Sequence, residues 1–81
     1  MKIEILLFAS LRETCGTERS VVDATAGASV AQIAGDFLAA RGIVPASLPP
    51  LRYAVNEAFV SGDHAPSEGD RLAVLTPFAG G

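Results

Sequence analysis

The groups in this 81-residue chain best suited to chemistry lie at its end, in Thr76-Pro77-Phe78-Ala79-Gly80-Gly81. Gly80 and Gly81 carry no Cβ, so an extended main chain there can slide into a narrow tunnel in another protein. The reacting atom would be the terminal carboxyl carbon of Gly81. A carboxylate resists nucleophiles until one oxygen becomes a good leaving group, so a partner must first activate it, typically with ATP as an acyl-adenylate. Extended, the five residues from Pro77 onward reach about 17 Å, enough to deliver that carboxyl into a buried site while the body stays outside.

Other reactive side chains are few. The one cysteine, Cys15, cannot form an intramolecular disulfide, and with the one histidine, His64, it cannot complete a structural zinc site. No metal is expected. Cys15 falls in what reads as a hairpin loop with no neighbouring base to make it a thiolate, which argues against a persulfide relay. Asp63-His64 with Ser61 or Ser67 has the ingredients of a hydrolase, but a triad needs a preorganised cleft and oxyanion donors. A domain of this size buries only about 60–65% of its unfolded surface and has little material for such a cleft. A solvent-exposed loop histidine is the expectation.

The elements that must hold the tail follow from periodicity. Ile3, Ile5 and Leu7 alternate with Lys2, Glu4, Leu6 and Phe8 as a strand ending near Ala9. The polar stretch from Arg12 to Glu18, with Gly16 as its turn, leads to Ser20-Val21-Val22 and predicts a hairpin. Ser29 and Gln32 form a capping box, and Val30, Ile33, Ala34, Phe37 and Leu38 make one apolar stripe ended by Gly42, so about twelve residues of helix are expected. Gly35 inside it is explained only by close packing. Pro45, Pro49 and Pro50 predict an extended, non-helical connection. Leu51 to Val55, Phe59-Val60 after a turn at Asn56-Glu57, and Arg71 to Thr76 complete the strands.

One helix on one face of a mixed sheet of about five strands is an α+β arrangement, and a β-grasp is its simplest form, with first and last strands side by side. Residues 1–76 would be the globular domain and 77–81 a flexible tail. If Ile3, Ile5 and Leu7 face the helix, then Leu6, Phe8, Ala54, Phe59, Ala73 and Leu75 lie on the other side of the sheet. The chain has too few residues left to cover them. Such an apolar patch marks a partner surface.

Six Lys plus Arg against nine Asp plus Glu give a net charge of −3. That sign disfavours nucleic acid and favours basic partner surfaces. No uncharged apolar stretch approaches the ~20 residues of a membrane helix, and the amino end lacks signal-peptide features, so a cytoplasmic protein without membrane or nucleic-acid partners is expected.

Phe8-Ala9-Ser10-Leu11-Arg12-Glu13, Ala54-Val55-Asn56, Gly69-Asp70 and the Pro77-to-Gly81 tail together resemble the small subunit of molybdopterin synthase. The resemblance spans nearly the whole chain and implies a ubiquitin-like sulfur carrier. In that family the terminal glycine, here Gly81, is adenylated by a ubiquitin-activating-like enzyme that uses ATP, then converted to a thiocarboxylate with sulfur from a donor enzyme. The carrier itself binds no cofactor. Its tail, here Pro77, Phe78, Ala79 and Gly80 with Gly81, enters the large synthase subunit of a heterotetramer. There sulfur passes to cyclic pyranopterin monophosphate in molybdenum cofactor biosynthesis. The family's docking positions fall on Phe8, Phe59 and Leu75, beside Leu6 from the face count and Arg12 as a rim contact. Thr76 stands where members commonly have a first proline, and Phe78 where they have a small apolar residue. Two other readings are a sulfur carrier of thiamine biosynthesis and a ubiquitin-like modifier conjugated through Gly81.

Overall fold

The computed structural model describes residues 1–77. Five strands form one sheet in the order β2-β1-β5-β3-β4: β1 Lys2–Leu7, β2 Arg19–Asp23, β3 Arg52–Val55, β4 Ala58–Val60 and β5 Arg71–Leu75. β1 and β5 run parallel in the middle, and every other pairing is antiparallel. The mixed sheet, with first and last strands side by side, is the β-grasp expected from the order of strands and helix.

The main helix, α2 (Val30–Ala40), starts where its cap dictates: Ser29 Oγ accepts the Gln32 N–H at 3.1 Å. Among the described residues this is the half of the expected capping box that forms, without the reciprocal Gln32 side-chain bond. At the other end Gly42, at φ +77°, donates to the Ala39 carbonyl, and Ile43 donates to that of Leu38. These two bonds are the Schellman pattern, and the left-handed residue it needs is a glycine. Val30, Ile33, Ala34, Phe37 and Leu38 of α2 pack against Ile3, Ile5, Leu7, Val55, Leu72 and Val74 of the sheet. Each fully buried aliphatic side chain contributes about 1.5–3 kcal/mol.

Two connections differ from the sequence reading. The stretch read as a hairpin loop is a short helix, α1 (Ala9–Cys15), so β1 ends at Leu7. Leu11 is its single buried residue, and Gly16 is its left-handed C-cap, at φ +72°, rather than a strand-to-strand turn. The proline-rich connection contains one turn of 3-10 helix, Pro45–Ser47, where a wholly extended path was expected. Nor does close packing account for Gly35: a Cβ built there meets nothing within 4 Å.

Among the described residues, no helix is long and apolar enough to cross a membrane.

Candidate functional site

The strands that bury one set of side chains must turn the other set outward, because successive residues alternate across a sheet. On β1, Ile3 and Ile5 are wholly buried beneath the helices, while Leu6 lies on the opposite face and Phe8, just past the strand, is 45% exposed. The register then sets the outer row: Leu6 is opposite Ala73, Ala73 opposite Ala54, and Ala54 opposite Phe59. Leu75 lies on the same side of β5, opposite Arg52.

These residues make a groove of about 370 Å³ across β1, β5 and β3, lined by Leu6, Phe8, Ala54, Asn56, Glu57, Arg71, Ala73 and Leu75. The paired alanines Ala54 and Ala73 form its floor, since their short side chains leave the depth that Leu6, Phe8 and Leu75 wall in. Phe59 stands 70% exposed on β4, with the Arg52 guanidinium 5.3 Å from its ring centroid. Leu6, Phe8, Phe59 and Leu75 are therefore brought to one face, as expected. Arg12 is exposed on α1 and, like Phe59, does not line the groove itself.

Charge surrounds the apolar floor. Glu4 lies between two guanidiniums, its Oε1 3.5 Å from Arg71 Nε and its Oε2 3.9 Å from Arg19 Nε. At the β3–β4 turn, Asn56 and Glu57 both take positive φ, the signature of the turn that suits a tight hairpin. Asn56 is also a clip. Its Nδ2 donates to Asp70 Oδ1 at 3.1 Å, and its Oδ1 accepts the Arg71 N–H at 3.0 Å. The Ser67 N–H donates to Asp70 Oδ2 at 2.8 Å, and these bonds, the Ser67 amide foremost and Asn56 next, hold the Asp70 carboxyl below its ordinary range. The clip fixes the turn against the start of β5 and so sets that end of the groove. Sequence reading placed Asn56 and Asp70 in separate motifs and Asn56-Glu57 in a turn, without joining them, and gave Arg71 no role; the missing signal was the pairing of β3 with β5.

The tail follows from β5. Thr76 is half-buried and Pro77 exposed immediately after the strand, so the chain leaves the sheet beside Leu75 at the groove. Phe78, Ala79, Gly80 and Gly81 lie outside the described residues.

The alternative chemistries find no assembled site. Burial pushes the Cys15 thiol above its ordinary range, with Arg41 opposing, which favours the protonated form over the thiolate a relay needs. Cys15 ends α1 rather than sitting in a hairpin loop. Ser61 Oγ donates to Asp63, not to His64. The main chain of this loop instead caps α2: the His64 carbonyl accepts the Val30 N–H at 2.8 Å and the Gly62 carbonyl that of Ala31 at 3.0 Å. A Cβ at Gly62 would sit 3.3 Å from the Ala31 Cβ, so this loop approaches the helix as closely as it can. Among the described residues, no three His, Cys, Asp or Glu side chains are grouped to hold a metal ion.

A five-stranded mixed sheet grasping one long helix, with parallel first and last strands and a bare outer face, is the ubiquitin-like β-grasp. Residues 5–81 match the ThiS family, and the chain belongs to that family. The chain is 26% identical over 83 residues to the molybdopterin synthase sulfur carrier subunit of Chlamydomonas reinhardtii, covering 100% of both. In fold it is similar to SAMP1 from Haloferax volcanii, with a TM-score of 0.83, 24% identity and 100% of both chains covered. It is also similar to a chain of the protein–protein complex of subunits 1 and 2 of molybdopterin-converting factor from Helicobacter pylori, with a TM-score of 0.66, 18% identity and 100% of both chains covered.

Proposed function

We propose that this chain is a cytoplasmic sulfur carrier for molybdenum cofactor biosynthesis, working through the carboxyl group of Gly81. An ATP-using activating enzyme forms the acyl-adenylate with release of pyrophosphate. Sulfide-level sulfur from a donor enzyme then attacks the acyl carbon, breaks its bond to the AMP phosphate oxygen, and leaves a thiocarboxylate and free AMP. The outer face docks on the large molybdopterin synthase subunit through Leu6, Phe8, Phe59 and Leu75, and Pro77 to Gly81 enter that subunit. There the sulfur is passed to cyclic pyranopterin monophosphate as water cleaves the acyl–sulfur bond and supplies the replacing oxygen, and Gly81 returns as a carboxylate ready for another cycle.

The observation that carries this reading is the uncovered groove beside the end of β5, the strand that continues into the tail. A docking face and a working end that share one strand are delivered together. The family match supports it, since it extends through Gly80 and Gly81 to the last residue. So does the name of the Chlamydomonas relative, and the Helicobacter structure is of a two-subunit complex. Phe78 is the bulkiest residue of the tail and packs at the tunnel mouth in this scheme.

The test is intact-mass measurement after incubation with ATP, activating enzyme and sulfur donor. The expected product carries one oxygen-for-sulfur exchange at the terminus and, mixed with the large subunit and pterin precursor, yields the dithiolene. Thiazole formation with the corresponding thiamine enzyme in its place, or isopeptide-linked adducts without exchange, would overturn the assignment.

A further inference from the structure

The sheet has a second open feature at its β2 edge. β2 is an outermost strand, and its ladder to β1 includes Leu7 N–H to the Glu18 carbonyl at 2.9 Å and Ala24 N–H to the Met1 carbonyl at 2.7 Å. In an antiparallel pair such bonds recur at every second residue. Ser20 and Val22 therefore point their main-chain groups at β1, and Arg19, Val21 and Asp23 point theirs away from the sheet. Thr17 Oγ1 occupies both groups of Arg19, accepting from its N–H and donating to its carbonyl. The N–H and C=O of Val21 and Asp23 have no such partner among the described residues. An open row of this kind is a template for an added strand.

Beside that edge runs a groove of about 260 Å³ between β2 and α2, lined by Val22 to Thr25 on one side and by Gln32, Ile33, Asp36 and Phe37 among others on the other. The charged residues among its lining are Asp23 and Asp36. Asp23 already accepts from the Met1 ammonium and Lys2, whereas Asp36 enters no ion pair among the described residues. The neighbouring Arg41 guanidinium is held over the Phe37 ring, 4.4 Å from its centroid, and does not line the groove.

We propose that the β2 edge and this groove form a docking site for an extended, basic segment of a partner protein. The segment adds to the sheet beside β2 and bonds to the main chain of Val21 and Asp23. Alternate apolar side chains fill the groove against Val22, Ile33 and Phe37, and a Lys or Arg reaches Asp36. This groove shares no lining residue with the outer one, so both can be occupied at once. The proposal does not depend on the sulfur-carrier reading.

The experiment is an amide-resolved NMR titration of the full chain with a blocked peptide of alternating Val and Lys, seven residues long, and with its Val/Glu counterpart. Shifts from the lysine peptide are expected at Val21 to Thr25 and along Gln32 to Phe37, with the glutamate peptide binding at least ~10-fold more weakly. Val21→Pro removes only an outward N–H, which an edge strand tolerates, and should abolish binding. Asp36→Lys, on an exposed helix position, should weaken the lysine peptide by about 10-fold and serves if the proline variant does not fold. Equal binding of the two peptides, no binding at millimolar peptide, or shifts confined to Leu6, Phe8 and Ala73 would each refute the site. So would concentration-dependent shifts at Val21 to Asp23 without peptide, which would mean that a second copy of the chain takes the edge.

Discussion

The two faces of the sheet are made by the same strands from residues of similar hydrophobicity, yet one is sealed and the other bare. Ile3, Ile5, Leu72 and Val74 meet α2 and are all but inaccessible, whereas Phe8 and Phe59, larger and more apolar than a valine, stand in solvent. The inner face can be explained by folding alone. Nothing in folding calls for the outer one: a chain that only had to fold would gain solubility by placing polar residues at Leu6, Phe8, Phe59 and Leu75. The cost is accepted at one surface, next to the strand that becomes the tail.

The sharpest test of that contrast removes Gly81. Sulfur transfer should be abolished in the synthase assay while the melting temperature is unchanged, because a terminal residue outside the core adds little to stability. Ile5→Ala, on the inner face, should lower unfolding free energy by about 2–5 kcal/mol in urea titrations and leave affinity for the large subunit intact where the protein remains folded. Phe8→Asp should do the reverse, weakening the complex by at least ~2 kcal/mol in calorimetry while moving stability by no more than about 0.5 kcal/mol. If Phe8→Asp unfolds the protein, or binds normally, the two faces are not separable as described.

Smaller effects refine the comparison. Gly35→Ala should stabilise the protein by about 1 kcal/mol, since the added methyl meets open space and the helix loses its most permissive residue. Acid should act at the rim, because no charged group is buried among the described residues. Asp23 and Asp70 are both held below their ordinary value of 3.8, Asp23 chiefly by the N-terminal ammonium and then Lys2. Their contribution is fully present above the unfolded value and is lost as pH falls through the folded one. Urea midpoints should therefore drop below pH 4, and less so in Asp70→Asn.

Much of this was legible in the sequence, for an identifiable reason. Period-two alternation in Ile3 to Phe8 and Arg71 to Leu75 assigns each residue to a face without knowledge of the fold, and the Ser29 cap and Gly42 stop bracket α2. Helix α1 escaped because seven residues with one buried leucine carry too short an apolar pattern, and because Gly16 suits a helix stop and a turn equally. The Asn56-Asp70 clip joins residues 14 apart, and only the β3–β5 register brings them together. The acidic groove beside β2 escaped in the same way: Val22 and Asp36 are ordinary in isolation and meaningful only across an edge.

The position of β5 has a mechanical consequence. Flanked by β1 on one side and β3 on the other, it is the strand that continues into the C-terminal residues. A pull along the chain beyond Pro77 loads two hydrogen-bonded ladders lengthwise, so their bonds share the force instead of parting one after another as they would in a peeled edge strand. If the tail enters a partner as proposed, a chain withdrawn by that end is held through a strand paired on both sides rather than through an edge.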